Sequence, residues 1–532
     1  MSETVIHSFN GADGGNPYAS LFYDNGVFYG TTAIGGEGEA GTLFRYDLSS
    51  GILTTLHSFN GTDGASPYAS VIYQSGILYG TAGEGGTNNN GTLFSYNLST
   101  ETFTTLHYFT GLGTDGAYPF CSPVYQNGIL YGTTSVGGTT DNGTLFSYDL
   151  NTETLTTLYS FTGTDGSYIN SSLIYQSGIL YGTAVGGGIN DNGTLFAYDL
   201  DSGIFSTLYF FTGIDTDGSG PFSSVIYQNG ILYGTTNSGG TYTFGTLFSY
   251  DLDSGILTTL HSFSTQDANG ALPYASVIYQ DGILYGTTTY GGTYTNGTLF
   301  SYDLTSNSFS SLYSFVGTPT DGAILFSSVI YQNGILYGAT IDGGFDGYEY
   351  GVLYSFDLHL PISNTCFPVG TPISCDQGNV SIDRINPLKH TIHNHTITAI
   401  TRTISQDNYL VCFEQHALGN GCPNQRTVMS KNHKILFRGK MVEAFRFLKH
   451  FKNVRKVKYN QQILYNVLME KHETICVNNL VCETLHPNNI VAMLHNRNFE
   501  EKEKNEIIRL MNESIHKKDR ISYAEVARRI HS

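Results

Sequence analysis

The sequence predicts a mainly β protein in two parts, the first a closed array of repeated four-stranded sheets over residues 1–358 and the second a unit of different composition. Three observations predict the array. Gly-Thr-Leu-Phe, or a near copy of it, begins at Gly41, Gly91, Gly143, Gly193, Gly245, Gly297 and Gly351, an interval of about 50 residues. A Tyr-Gly pair keeps the same period, with its glycine at Gly30, Gly80, Gly132, Gly182, Gly234, Gly286 and Gly338. The chain also opens on a run that belongs to the end of a repeat: Val5-Ile6-His7-Ser8-Phe9 matches Leu56-His57-Ser58-Phe59 and Leu260-His261-Ser262-Phe263.

Each repeat carries four short runs rich in β-branched and aromatic residues. In the second copy they are 69–73, 77–81, 92–96 and 103–109, and runs of that length between glycine clusters are strands by pattern and propensity. The first two are joined by Gln74-Ser75-Gly76, which recurs as Gln126-Asn127-Gly128, Gln228-Asn229-Gly230, Gln280-Asp281-Gly282 and Gln332-Asn333-Gly334. Asn-Gly or Asp-Gly in a two-residue loop marks a hairpin, because a type I′ turn needs positive φ at both positions. Four antiparallel strands per unit, seven times over, fit either a β-propeller or a stacked β-solenoid. The ends decide between them. The seventh copy stops at 351–356, one strand short, and the N-terminal run supplies the missing strand. A ring needs that offset to close its last sheet and leave no free edge, whereas an open solenoid has no use for it. The prediction is a seven-bladed β-propeller closed by its N-terminal strand.

The repeats resemble the kelch and related tandem propeller families, and most closely a bacterial repeat in which an LYGTT-like strand leads through a Gly-Gly turn to GTLF. The resemblance implies a fold and no activity. Asp63, Asp115, Asp165, Asp217 and Asp321 recur in Thr-Asp-Gly loops, but without the spacing of a calcium loop they read as turn residues. His57, His107 and His261 recur at a strand position that Tyr159, Tyr209 and Tyr313 fill in other copies, so it reads as a packing position. The expected functional surface is the ring face bearing the variable Gly-rich loops, whose Tyr, Thr and Asn suit a protein or glycan ligand.

Composition divides the chain at the same place. Residues 1–365 hold one base, Arg45, and 29 acids, about −28, while residues 366–532 hold 24 bases and 15 acids, about +9. A first part with one base cannot bind nucleic acid by neutralising phosphates, nor clamp anions with arginine clusters. No nucleic-acid partner is expected. No apolar run approaches the roughly 18 residues that would span a bilayer, and no basic segment followed by an apolar one opens the chain as a secretory signal would. Seven cysteines, of which only Cys121 lies in the first part, argue in that setting for a reducing compartment rather than a disulfide framework. A monomer without metal or cofactor is expected.

After Phe356 the repeat fails, and a linker, 359–365, leads to Cys366-Phe367-Pro368-Val369-Gly370-Thr371-Pro372-Ile373. Two further blocks follow, Ser430-Lys431-Asn432-His433-Lys434-Ile435-Leu436 and a third from Leu464-Tyr465-Asn466-Val467-Leu468-Met469-Glu470-Lys471-His472 to Val481. In this order and spacing they resemble the Hint domain of hedgehog autoprocessing proteins and inteins. The stretch from 366 to about 494 is most similar to Hint-type modules attached to repeat proteins of giant DNA viruses, for which the reducing compartment expected above would be the cytoplasm of a host cell or a virion. The resemblance implies an all-β Hint-like domain over 366–487. It assigns Cys366 as nucleophile, His433 as general acid and His472 as a helper in the second step. Ser430 stands where the family has a threonine that hydrogen-bonds the scissile amide.

The chemistry fits that order. A cysteine that begins a domain can attack the carbonyl of the residue before it, Thr365, through a five-membered ring, so proximity supplies much of the rate. The amide becomes a thioester. An amide nitrogen leaves poorly unless protonated, and a histidine titrating near neutrality is the usual acid. Cys375, Cys412, Cys422, Cys476 and Cys482 read instead as small hydrophobes. His390, His393 and His395 lack a cysteine pair or acidic partner at zinc-ligand spacing. An intein ends in His-Asn, but Glu483 and Thr484 stand here, and threonine cannot form the succinimide that splicing requires. The expected outcome is hedgehog-like release of residues 1–365, without splicing and, for want of a sterol-recognition segment, without a cholesterol adduct. Apolar spacing over 499–515 and 521–530 makes 488–532 a short helical tail. The alternative function is a non-catalytic interaction protein carrying an inactive Hint fold.

Overall fold

The computed structural model describes residues 2–484 apart from 112, 114, 214–216, 266–268, 318–320, 345–349, 359–365, 404–408, 420, 460–463 and 470–473. The chain divides into two compact units, Met1–Leu358 and His359–Ser532. In the first, seven four-stranded antiparallel sheets form the blades. The second blade is Ile72–Gln74, Ile77–Ala82, Thr92–Asn97 and Thr102–Tyr108, in that order across the sheet. Ser75 and Gly76, at φ 50° and 86°, give the first hairpin its two positive-φ residues.

The inner strand is shorter than the sequence predicts, because residues 69–71 are not in the ladder. Their backbone is claimed by the preceding blade: the Thr31 hydroxyl donates to the Ala69 carbonyl at 2.9 Å. The same stitch recurs from Thr81 to Cys121, Thr183 to Ser223 and Thr287 to Ser327, at 2.7, 2.9 and 3.0 Å. Blade-to-blade hydrogen bonds thus replace ladder bonds near the axis.

The two recurrent motifs are halves of one contact. A Cβ added at Gly80 would lie 2.5 Å from Phe94 Cζ, and one at Gly132 the same distance from Phe146 Cζ. The Tyr-Gly glycine is therefore the seat of the buried phenylalanine that Gly-Thr-Leu-Phe supplies from the next strand. The Thr-Asp-Gly loop holds its own turn, with Asn60 N–H donating to Asp63 Oδ1 at 3.0 Å, and the His-or-Tyr position packs, His57 stacking on Phe103; the two are also joined to each other. His57 Nε2 lies 2.9 Å from Asp63 Oδ2, His107 Nε2 lies 3.1 Å from Asp115 Oδ2, and the Tyr209 hydroxyl donates to Asp217 at 2.9 Å. Histidine and tyrosine interchange because each brings a ring to pack and a polar hydrogen for the aspartate.

The seventh sheet is closed by both ends of the array, in the order Ser2–Ser8, Val352–Asp357, Ile335–Thr340, Ile330–Gln332. Ser328 N–H donates to Ser20 Oγ at 3.0 Å, tying the seventh blade to the first. One ionisable group breaks the pattern at this seam. Glu3 lies opposite Phe356, where other blades place Leu53, Phe103 or Leu155 opposite a tyrosine. Burial, and then the Asp321 carboxylate, push the Glu3 carboxyl from 4.5 up to about 7. The folded ring therefore prefers Glu3 protonated. This group leaves stability whole below pH 4.5, erodes it as pH rises, and exacts its full cost above about 7. Glu3→Leu is expected to remove that erosion, gaining up to about 2 kcal/mol at pH 8 after allowing for the partial exposure of the carboxyl. Urea denaturation at matched pH values checks it, and a parent-to-variant difference that stays constant from pH 4 to 8 would refute it.

The second unit is also built of strands. One sheet holds Phe367–Pro368, Leu464–Met469, His395–Thr403 and Thr391–Ile392, and another holds Lys440–Glu443, Lys434–Phe437, Leu480–Glu483 and Thr474–Val477. Thr427–Met429, Tyr409–Phe413 and Val454–Lys458 form a third. Their inward side chains, among them Phe367, Val411, Phe413, Met429 and Val467, make one buried core. Among the described residues only two 3-10 turns, Ile382–Arg384 and Ala444–Lys449, are helical, and no helix is long and apolar enough to cross a membrane. The linker 359–365 and the predicted helical tail 488–532 lie outside the described residues.

Candidate functional site

Cys366 immediately precedes Phe367–Pro368, which pairs antiparallel with Leu464–Met469 so that Phe367 faces Tyr465. One step along that register brings Asn466 beside Cys366, and Asn466 Nδ2 donates to Cys366 Sγ at 3.1 Å. The cysteine is fully buried, packed with Leu410, Tyr459 and Leu464.

Ser430 follows directly on the strand Thr427–Met429 and exchanges two hydrogen bonds with Cys366. Cys366 N–H donates to Ser430 Oγ at 3.0 Å, and Ser430 N–H donates to the Cys366 carbonyl at 2.9 Å. The chain then turns tightly, with His433 N–H donating to the Ser430 carbonyl at 3.2 Å. Ala444 N–H holds the His433 carbonyl at 2.7 Å from the other side. The imidazole lies 4.2 Å, centroid to centroid, from the ring of Phe367 and is 1% exposed. A further bond, from Asn478 Nδ2 to Thr427 Oγ1 at 2.9 Å, ties the last hairpin to the strand that delivers Ser430.

The structure thus brings together Cys366, Ser430 and His433. Thr365 and His472 lie outside the described residues. Sequence reasoning gave Asn466 no role. Its signal was available: it is a lone polar residue, 3% exposed, in a strand whose other members from Leu464 to Met469 are Leu, Tyr, Val, Leu and Met. Burial pushes the thiols of Cys121, Cys375 and Cys412 up, away from the reactive thiolate. His390 Nδ1 accepts the Asn386 N–H at 2.9 Å, and His393 occupies a turn at φ 50°.

The nitrogen that meets Ser430 Oγ is the amide nitrogen between Thr365 and Cys366. A hydroxyl therefore sits on the atom that would leave in an acyl shift, and an amide N–H sits on the sulfur that would attack. Hydrogen bonding to sulfur favours its anionic form, and a hydroxyl can both accept from and donate to its partner.

Comparison with known proteins agrees with both units. Residues 1–190 and 173–354 match the model of the Gloeobacter/Verrucomicrobia repeat, and residues 365–489 match that of the Hint domain. None of the curated proteins compared with the chain matches it. Among solved structures the chain is similar to TolB from Acinetobacter baumannii, at 14% identity and a TM-score of 0.35, over 54% of this chain and 62% of TolB. It is also similar to the extracellular domain of a one-component system from B. thetaiotaomicron, at 13% identity and a TM-score of 0.45, over 70% of this chain and 43% of that one. The chain spans less than two thirds of either structure. With seven repeat-built blades matched over most of its length, the chain belongs to the Gloeobacter/Verrucomicrobia repeat family, and a Hint domain follows its repeats.

Proposed function

We propose that the Hint domain, 366–487, cleaves the Thr365-Cys366 bond and so releases a propeller, 1–358 with its linker 359–365, that serves as a monomeric binding module for a protein or glycan ligand. The observation that carries this reading is the pair of contacts at Cys366, Ser430 Oγ on its nitrogen at 3.0 Å and Asn466 Nδ2 on its sulfur at 3.1 Å. In the first step the Cys366 sulfur bonds to the Thr365 carbonyl carbon and the carbon–nitrogen bond breaks. The thiol gives up a proton and the leaving nitrogen gains one. His433 is the acid for that transfer, Ser430 hands the proton across the short gap to nitrogen, and Asn466 steadies the sulfur as it attacks.

In the second step water or another nucleophile takes the acyl group from sulfur and restores the Cys366 thiol, with His472 assisting. Burial of Cys366 is compatible with the first step, which is intramolecular and needs no solvent. The second needs access, so a small strong nucleophile should accelerate release.

Charge provides the assay. Full-length protein treated with hydroxylamine and passed over an anion exchanger is expected to separate into a retained fragment near −28 and an unretained one near +9. Cys366→Ala should remain whole and be retained. An undivided chain from the unsubstituted protein, under conditions where it is folded, overturns the reading.

A further inference from the structure

The seven blades meet round a channel cavity, and each gives one side chain to a collar that lines it: Tyr18, Tyr68, Phe120, Asn170, Phe222, Tyr274 and Phe326. Just beside them runs one serine per blade, from Ser20 and Ser70 round to Ser328, the same residue in all seven copies. Neighbouring rings of the collar touch. Tyr18 and Tyr68 are 5.0 Å apart, Tyr68 and Phe120 5.4 Å, Phe222 and Tyr274 5.0 Å, Tyr274 and Phe326 4.9 Å, and Phe326 and Tyr18 5.1 Å. The circuit is open only where Asn170 stands in place of an aromatic residue.

The two layers serve different ends. The serines stitch the ring: Ser172 Oγ accepts the Ser122 N–H at 2.8 Å as Ser20 Oγ accepts that of Ser328. Uniformity there is structural. The collar is not uniform, and its exception leaves a buried acceptor, Asn170 Oδ1, with no hydrogen-bond partner among the described residues. An unfilled acceptor in a folded core is costly unless something else donates to it.

The cavity in the channel, about 120 Å³, offers rings, hydroxyls and an amide, and among the described residues no charged side chain lines it. It sits in a propeller with one base and 29 acids, whose field draws cations in and turns anions away. Its size falls below the roughly 300 Å³ at which pockets begin to hold a whole small molecule, but an ammonium head needs less. Aromatic rings attract such a head through their π-faces. We propose that the channel mouth binds an alkylammonium group that carries N–H, a small primary alkylamine or the end of a lysine side chain, with the collar as its cage and Asn170 accepting from its N–H. This rests on the reading of the propeller as a binding module and is independent of cleavage at Cys366.

Isothermal titration of the full chain carrying Cys366→Ala, at low salt, tests it with three probes: ethylamine, Nα-acetyl-lysine methylamide and methyl glucoside. Saturable binding of ethylammonium or the lysine derivative is expected, and the preferred one identifies the source of the ammonium group. Tyr68→Leu should weaken binding by about tenfold, and Asn170→Phe, which completes the collar, should weaken it comparably, with thermal melts matching the parent in at least one variant. No saturable binding of either ammonium probe, or binding that both variants leave unchanged, overturns the proposal. Binding of methyl glucoside alone also overturns it, while leaving the propeller a binding module for glycans.

Discussion

Replacing His433 by glutamine is expected to slow cleavage of the Thr365-Cys366 bond by about 10²- to 10⁴-fold, the usual worth of a positioned general acid. The expectation follows from the poor leaving ability of an amide nitrogen and from the geometry around it. Ser430 Oγ is on that nitrogen at 3.0 Å, and His433 is in the same tight turn, hydrogen-bonded to the Ser430 carbonyl and packed against Phe367. Glutamine nearly conserves the buried volume but cannot act as an acid near neutral pH. The rate of fragment formation in hydroxylamine at one fixed pH, followed on denaturing gels, measures the effect. A variant that cleaves at the parent rate removes His433 from the mechanism. Ser430→Ala tests the relay separately, because it deletes the hydroxyl and leaves the imidazole in place.

The second large effect concerns the ring. Deleting residues 2–8 should cost roughly 3–9 kcal/mol, since six residue pairs join Ser2–Ser8 to Val352–Asp357 and each backbone hydrogen bond contributes about 0.5–1.5 kcal/mol net. That loss is comparable to the whole stability of an ordinary domain. The deletion also bares the edge of Val352–Asp357, a template for pairing with another chain. A lower, broader calorimetric transition and concentration-dependent association on size exclusion are expected, and a synthetic peptide of residues 2–9 should restore the parent transition. A truncated chain that melts as the parent does would mean that the seam does not hold the ring.

The number of blades and their closure were legible because both are periodic features: seven copies of each motif and an end offset by one strand. Turn chemistry was legible for the same reason, since Asn-Gly and Asp-Gly fix their own φ angles locally. The approach of Cys366, Ser430 and His433 was implied by the resemblance of their sequence blocks to the Hint domain. What stayed hidden depends on register between strands far apart in sequence. Asn466 reaches Cys366 across 100 positions, and only the pairing of Phe367 with Tyr465 puts them side by side. The seat of Phe94 on Gly80 needs the register of two adjacent strands. Glu3 resembles an ordinary polar residue near a chain start until its place opposite Phe356 is known. The collar is less visible still, because Asn170 is one substitution in one repeat and acquires meaning only when the ring sets it between Phe120 and Phe222.

Cleavage at Thr365-Cys366 is tested most directly by tandem mass spectrometry of the peptides that flank the proposed cut, after the full chain has been treated with hydroxylamine. A peptide ending in Thr365 as its hydroxamate and a partner beginning with a free amine on Cys366 are expected, both absent from Cys366→Ala. Peptides found only joined across Thr365 and Cys366, a cut at another bond, or the same hydroxamate formed in Cys366→Ala would contradict it.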